Sequence, residues 1–261
     1  MPAAVRGQNP FHHQSPVQAP DAFFYREGDV KKVLARLQKG QNVSIVGKGK
    51  IGKTLFLHYI RNPQVMAQLG LELQDHQFCY FNCNQCADLS EDGCFGLIKA
   101  VLEKVISDME PPILVPEDIA CSDAYYWLGQ VFYRFDRAGH QVTLQLDDLD
   151  RWADNELLTL KFFDNLRSLS ETHDSLTYLT TSRVSLVELQ SDFPRIMGSP
   201  FFNIFWDYVL RPFDSDETRR LLATCLESVG VTFSQGVLGF IAHLSQGEPY
   251  RMQLVCGCAY D

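Results

Sequence analysis

Apolar and polar positions change period along this chain, and the changes mark out its elements. Over residues 29–37, Val30, Val33, Leu34 and Leu37 recur at helical spacing on one face, which predicts an amphipathic helix ended by Lys39-Gly40. Residues 42–46, Asn-Val-Ser-Ile-Val, form a short apolar run of strand length. Further strands are predicted near 78–81 and over 141–146, 176–181 and 205–210, with helices starting at Leu55 and spanning 96–109, 122–138 and 157–170. Pro111-Pro112 breaks the second of these helices, and the loop to Pro116 is irregular. The helix over 122–138 carries Tyr125, Tyr126, Trp127, Phe132, Tyr133 and Phe135, an aromatic stripe read as core packing.

Strands alternating with helices imply a mostly parallel sheet covered on both faces, an α/β three-layer sandwich. Near Pro212-Phe213 the pattern changes. Residues 216–229, 234–244 and 249–260 read as consecutive helices with no strand between them. Residues 1–20, rich in Pro, Gln and His, have no period and read as a flexible lead-in. The expected organisation is a lead-in over 1–20, a core over 21–212 and a small helical lid over 213–261.

The junction between the first strand and the helix after it carries the chemistry. Residues 47–54 read Gly-Lys-Gly-Lys-Ile-Gly-Lys-Thr, a complete G-x-x-x-x-G-K-[ST] phosphate-binding loop, placed between strand and helix as that loop requires. Its backbone N–H groups, from Gly47, Lys48, Gly49, Lys50, Ile51 and Gly52 into Leu55, are expected to wrap a phosphate chain at the helix N-terminus. Lys53 is expected to reach the β- and γ-phosphates and the Thr54 hydroxyl to hold Mg²⁺.

Hydrolysis needs a metal anchor and a group that orients water. The third strand ends Leu146-Asp147-Asp148, at the carboxyl end where such sheets bind ligands. Asp147 is assigned to Mg²⁺ together with Thr54, and Asp148 to water as general base. The bland alternative is that Asp147, Asp148 and Asp150 form a solvated turn or helix cap. The fourth strand ends Thr180-Thr181-Ser182-Arg183. Thr181 is placed to meet the γ-phosphate or the attacking water, and Arg183 to contact the γ-phosphate, with a surface ion pair as the alternative for Arg183. One other strand separates loop and acids in the sequence, which fits the class of P-loop folds with a strand inserted between them in the sheet.

Composition narrows the setting. The 261 residues are 46% hydrophobic and 21% charged, with a net charge of −9. That sign does not favour broad, non-specific nucleic-acid binding. No apolar run reaches the roughly 18 residues that a membrane span needs, and no signal-peptide pattern opens the chain, so the cytosol is the expected compartment. Eight cysteines are expected to be reduced there. Cys79, Cys83, Cys86 and Cys94 cluster around one C-x-x-C. No second C-x-x-C or His pair completes a zinc set, and small buried residues are the preferred reading.

With these residues in place, the chain resembles a STAND-type NTPase, and most closely the prokaryotic AAA-like ATPase domains of that group. The resemblance runs from about Asn9 to Tyr260. Phe23-Phe24-Tyr25-Arg26-Glu27 is similar to the F-[FV]-G-R-E box, residues 47–54 to the loop, and Leu146-Asp147-Asp148 with Thr180-Thr181-Ser182-Arg183 to the acid and sensor strands. Gly247-Glu248-Pro249-Tyr250 with Gln253 is similar to the G-x-P-[YL]-x-x-Q box.

The resemblance implies an AAA-like fold, ATP or ADP with Mg²⁺, slow hydrolysis, and a signalling switch. It implies that Tyr25 and Arg26 border the adenine or ribose and that Pro249 approaches the base from the lid. It also implies a protein partner or fused effector, and a homo-oligomer as an option. No N-K-x-D motif occurs, and the resemblance favours ATP over GTP. Tyr25 departs from the family's Gly, no second Arg presents itself as a trans-acting finger, and members usually continue past the lid. A fragment, or a protein reduced to its switch, is the corresponding expectation. A DNA-dependent ATPase of the origin-recognition or transposition-helper kind and a non-hydrolysing, ADP-bound scaffold share these motifs.

Overall fold

A computed structural model describes residues 26–70, 75–111, 113–115, 119, 123–227 and 232–260. The lead-in and Tyr25 therefore lie outside the described residues, as does Ser122, the first position of the helix read over 122–138. The strands are β1 (Asn42–Val46), β2 (His76–Asn82), β3 (Gln141–Asp147), β4 (Leu176–Ser182) and β5 (Phe205–Val209). They form one parallel sheet in the order β2-β3-β4-β1-β5. Strand β4 is thus the strand inserted between β1, which leads into the loop, and β3, which ends in Asp147.

Helices cover both faces, which accounts for the continuous burial of β4 along its whole length. On one side lie α1 (Glu27–Leu37) and α2 (Lys53–Ile60), packed with Val43, Ile45 and Leu179 of the sheet. All four residues read as the apolar face of α1 are buried. On the other side α4 (Glu91–Ser107), α5 (Ala124–Ala138) and α7 (Leu160–Thr172) pack on Cys79, Phe81, Val142, Leu144, Leu146 and Tyr178. β3 alternates between the two. Its Val142, Leu144 and Leu146 meet the second cluster, while Gln145 donates to the Leu57 carbonyl of α2 at 3.0 Å.

Several elements differ from the sequence reading. Helix α4 starts at Glu91 rather than 96, because the Ser90 hydroxyl caps it by accepting from the Gly93 N–H. Helix α7 starts at Leu160 rather than 157; the preceding residues form a turn in which Asn155 accepts from Leu157 N–H. Three short helices were not expected: α3 (Pro63–Gln68), α6 (Asp150–Asp154) and α8 (Leu186–Asp192). Each spans two turns or fewer, too short for a period to register.

The aromatic stripe of α5 is core only in part. Trp127, Phe132 and Phe135 are buried, whereas Tyr126 and Tyr133 are each 52% exposed. Together with Tyr125 and His173 they line a cleft of about 380 Å³ between α5 and α7. The phenol hydroxyl gives tyrosine a wet end that a purely apolar reading overlooks.

After β5 the chain forms α9 (Ser215–Glu227), α10 (Gln235–Ser245) and α11 (Pro249–Tyr260). Residues 228 and 229 of the helix read over 216–229 lie outside the described residues. These three helices share a small apolar cluster of their own, centred on Leu222, Ile241, Met252 and Cys256. Among the described residues no helix is long and apolar enough to cross a membrane.

Candidate functional site

The loop between β1 and α2 is anchored by backbone and by one apolar side chain. Gly47 N–H donates to the Ser182 carbonyl at 3.1 Å, which ties the start of the loop to the end of β4. Gly52 has φ of 102°, a left-handed turn that glycine adopts at little cost, and the helix begins at the next residue. Ile51 is buried and Leu55 half-buried in the α1–α2 cluster, whereas Lys48, Gly49, Lys50 and Thr54 are exposed. The first N–H groups of α2 therefore open onto the surface beside the loop, the arrangement that favours a bound anion.

Lys53 is 6% exposed. Its ammonium donates to the carbonyls of Gly47 at 2.7 Å and Lys48 at 3.2 Å. Burial lowers its pKa, the carboxylates of Asp148, Asp150 and Asp147 oppose that shift, and the Arg183 guanidinium adds to it. The fold thus brings Lys53, the three acids and Arg183 within one another's electrostatic reach, although they come from three strands and their following turns.

The acid tip is built by hydrogen bonds across strands. Asp147, 1% exposed, ends β3. One carboxylate oxygen accepts from the Thr181 hydroxyl at 2.6 Å and the other from the Tyr80 hydroxyl at 2.9 Å. Tyr80 comes from β2 and Thr181 from β4, so both neighbouring strands hold the same carboxylate. Burial first, and then Asp147, push the Tyr80 phenol well above its ordinary pKa. Thr181 also accepts from the Asp148 N–H at 2.8 Å, and its buried hydroxyl is thereby committed to the two acids.

Asp148 has φ of 58°, a left-handed conformation that aspartate tolerates better than most residues. Its carboxylate accepts from the Asn84 amide at 3.1 Å. Asn84 is presented by a 3₁₀ turn, Cys83–Cys86, in which Asn82 accepts from the Asn84 N–H at 2.9 Å. Asp150 accepts from the Arg183 N–H at 3.2 Å, and its other oxygen is buried with no partner among the described residues. The Arg183 side chain is exposed, and among the described residues it forms no ion pair.

Tyr80 and Asn84 were missed in the sequence. Both sit one strand away from the acids, and nothing in the sequence states that β2 lies beside β3. The C-x-x-C brackets the turn that carries Asn84, and its cysteines are the small buried residues that the sequence favours. Cys79, Cys83, Cys86 and Cys94 are fully buried, and among the described residues no group of three side chains is arranged to hold a metal. Burial pushes the Cys79 thiol up to about 12, and the Cys83 thiol also upward.

The chemistry of the two donors assigned to Mg²⁺ fits that ion. The Thr54 hydroxyl and the Asp147 carboxylate are hard oxygen donors, and each Asp147 oxygen keeps a lone pair beyond the one hydroxyl bond it accepts.

Arg26 and Pro249 meet the seam with the helical unit. Arg26 is 2% exposed, pairs with Asp29 at 3.3 Å, and lies 4.3 Å from the centre of the Phe213 ring. Burial lowers its pKa, Asp29 counters that, and its Nη2 has no partner among the described residues. Pro249 is the first residue of α11. Gly247 just before it has no room for a side chain: a Cβ there would stand 2.0 Å from the Phe213 carbonyl oxygen. The Phe213 N–H donates to the Gly247 carbonyl at 2.9 Å, which fixes this point of the seam.

No protein-family model matches the chain, and no curated protein matches it. Solved structures do. A Walker-type ATPase of Pyrococcus abyssi superposes with a TM-score of 0.70 at 14% identity, over 94% of this chain and 69% of that one. The ORC2 protein of Aeropyrum pernix, solved as ADPNP–ADP complexes, gives 0.63 at 15%, over 95% and 64%. Drosophila ORC bound to DNA gives 0.63 at 15%, over 100% and 62%. The chain therefore spans about two thirds of the length of these proteins. At such identities the likeness establishes the fold, a P-loop α/β fold of the AAA-like kind with a helical C-terminal part.

Proposed function

We propose that this domain binds ATP with Mg²⁺ between the loop and the helical unit, which acts as a lid, and hydrolyses it slowly as a nucleotide-operated switch. The observation that carries the reading is the convergence of Lys53, Asp147, Asp148 and Arg183 at the carboxyl ends of three adjacent strands.

Lys53 exchanges its two carbonyl partners for phosphate oxygens, a stronger charge-assisted pairing. Thr54 and Asp147 would hold the Mg²⁺, which would supply neutralisation of charge that develops on the phosphates. Tyr80 and Thr181 keep the Asp147 carboxylate aimed. Asp148 accepts a proton from water, and the Asn84 amide sets where its carboxylate points. Arg183 contacts the γ-phosphate. Tyr25, Arg26 and Pro249 border the base and ribose, so that exchange is coupled to lid movement. The STAND resemblance and the intact acid tip support a signalling role with a protein partner or effector in the cytoplasm. Homo-oligomer formation belongs to the same reading.

The test is to denature the purified protein, identify released nucleotide by chromatography, and follow ATP turnover beside Lys53→Ala. Bound ADP with slow, Lys53-dependent turnover is expected. An empty protein without affinity for ATP contradicts the reading.

A DNA-dependent ATPase is the second reading, and the likeness to an origin-recognition assembly solved on DNA favours it. That likeness weighs against the expectation, drawn from a net charge of −9, that nucleic acid is not a partner. Turnover measured with and without duplex DNA at low salt separates the two: stimulation selects this reading, and no change selects the switch.

A further inference from the structure

Lys50 is the one loop position where a long cationic side chain occupies a left-handed backbone conformation, φ of 66°. That conformation strains any residue with a Cβ, and a strained residue at a site is a reason to look for its function. The side chain is exposed, yet it does not point into bulk water: its ammonium lies 3.7 Å from the centre of the Tyr250 ring, within cation–π range. Tyr250 is the second residue of α11. It follows the Gly247–Phe213 contact by three positions, so it is close to the point where the helical unit is pinned to the core. Lys53 on the same loop is paired differently, with the Gly47 and Lys48 carbonyls. Two loop cations therefore have separate protein partners, one within the loop and one on the helical unit.

We infer that Lys50 and Tyr250 form a latch that reports phosphate occupancy to the lid: the Tyr250 ring holds Lys50 while the loop lacks a polyphosphate, and a bound polyphosphate draws Lys50 away and frees α11. This rests on the nucleotide-binding reading above and adds to it the element that carries the signal. An exposed ammonium over a half-buried ring is held weakly, whereas the same cation against a phosphate makes a charge-assisted pair, so the polyphosphate wins the competition. The latch responds to the phosphate chain, not to the base.

The experiment measures binding of ATP and of inorganic tripolyphosphate, by calorimetry, to wild type, Tyr250→Leu, Lys50→Met and the double variant. Tyr250→Leu removes the competitor and should tighten both ligands about three-fold, the order expected from a cation–π contact whose ammonium is exposed. Lys50→Met should weaken both, and in that background Tyr250→Leu should change nothing. Tyr250→Phe, which keeps the ring, should behave as wild type. Lys50→Gly, which suits the turn, repeats the Lys50 arm without strain. Equal effects of Tyr250→Leu in both backgrounds would overturn the latch, as would a loss of affinity confined to ATP, which would mean that Tyr250 serves the base. Wild-type protein that binds neither ligand overturns the nucleotide reading and the latch together; wild-type binding with additive variants overturns the latch alone.

Discussion

The two halves of the candidate site are built on different principles. The loop half, residues 47–54, is open: Lys48, Gly49, Lys50 and Thr54 are exposed, and it is shaped by backbone, by one left-handed glycine and by the start of α2. The acid half is closed. Asp147 and Thr181 are buried, and their positions are set by hydroxyls donated across β2, β3 and β4. The loop offers its partners to solvent, whereas the acid tip spends its own on holding two carboxylates in place. An open half suits capture of a ligand, and a closed half suits orientation of reacting groups. Binding and turnover should therefore be separable by mutation.

The strongest separation is expected from Asp148→Asn. The loop is untouched, so ATP affinity should stay within about three-fold, while turnover falls by about 100-fold or more, the scale of a lost general base. Unchanged turnover removes Asp148 from that role. Thr181→Val should next show what the closed half costs to disturb. It leaves both Asp147 and the Asp148 N–H short of a buried partner, and a loss of about 1–3 kcal/mol in urea unfolding is expected, with ADP affinity little altered. Tyr80→Phe removes a single, half-buried hydroxyl bond, and about 1 kcal/mol is expected in the same assay.

The smallest effect probes a polar contact of β2 and β3 away from the tip. There His76 meets the Thr143 hydroxyl at 2.7 Å, and Thr143 meets the Thr177 hydroxyl at 2.8 Å. Burial lowers the His76 pKa to about 4. The unfolded chain therefore takes up a proton that the folded chain refuses. Stability should be insensitive to this group above the ordinary histidine value and should fall as pH drops from about 6.5 toward 4, by on the order of 1 kcal/mol at pH 6. His76→Gln should remove that part of the slope in unfolding curves measured across this range.

The same contrast explains what could be read in the sequence. The loop is a contiguous motif whose roles attach to neighbouring positions, and its setting between strand and helix is local. The apolar face of α1, the five strands and the three C-terminal helices follow from short-range period in the same way. The acid half is not local. Asp147 and Asp148 stand out at a strand end, but Tyr80 and Asn84 reach them only because β2 pairs in parallel with β3, with Asn82 opposite Asp147. Sheet order arises from packing both faces, and no single segment encodes it. Thr181 stands out as a polar strand end, but its two hydrogen bonds to Asp147 and the Asp148 N–H are again set by strand order. The contact between Lys50 and Tyr250 joins residues two hundred positions apart, beyond any periodic signal.

The central claim is that the open half captures a phosphate chain through Lys53. Calorimetric titration of ATP with Mg²⁺ into wild type and Lys53→Ala tests it most directly. Saturable binding by wild type is expected, with a loss of about 100-fold or more in the variant, the scale of a buried ammonium's bonds to phosphate. Equal affinity in the two proteins, or no binding by wild type, would contradict it.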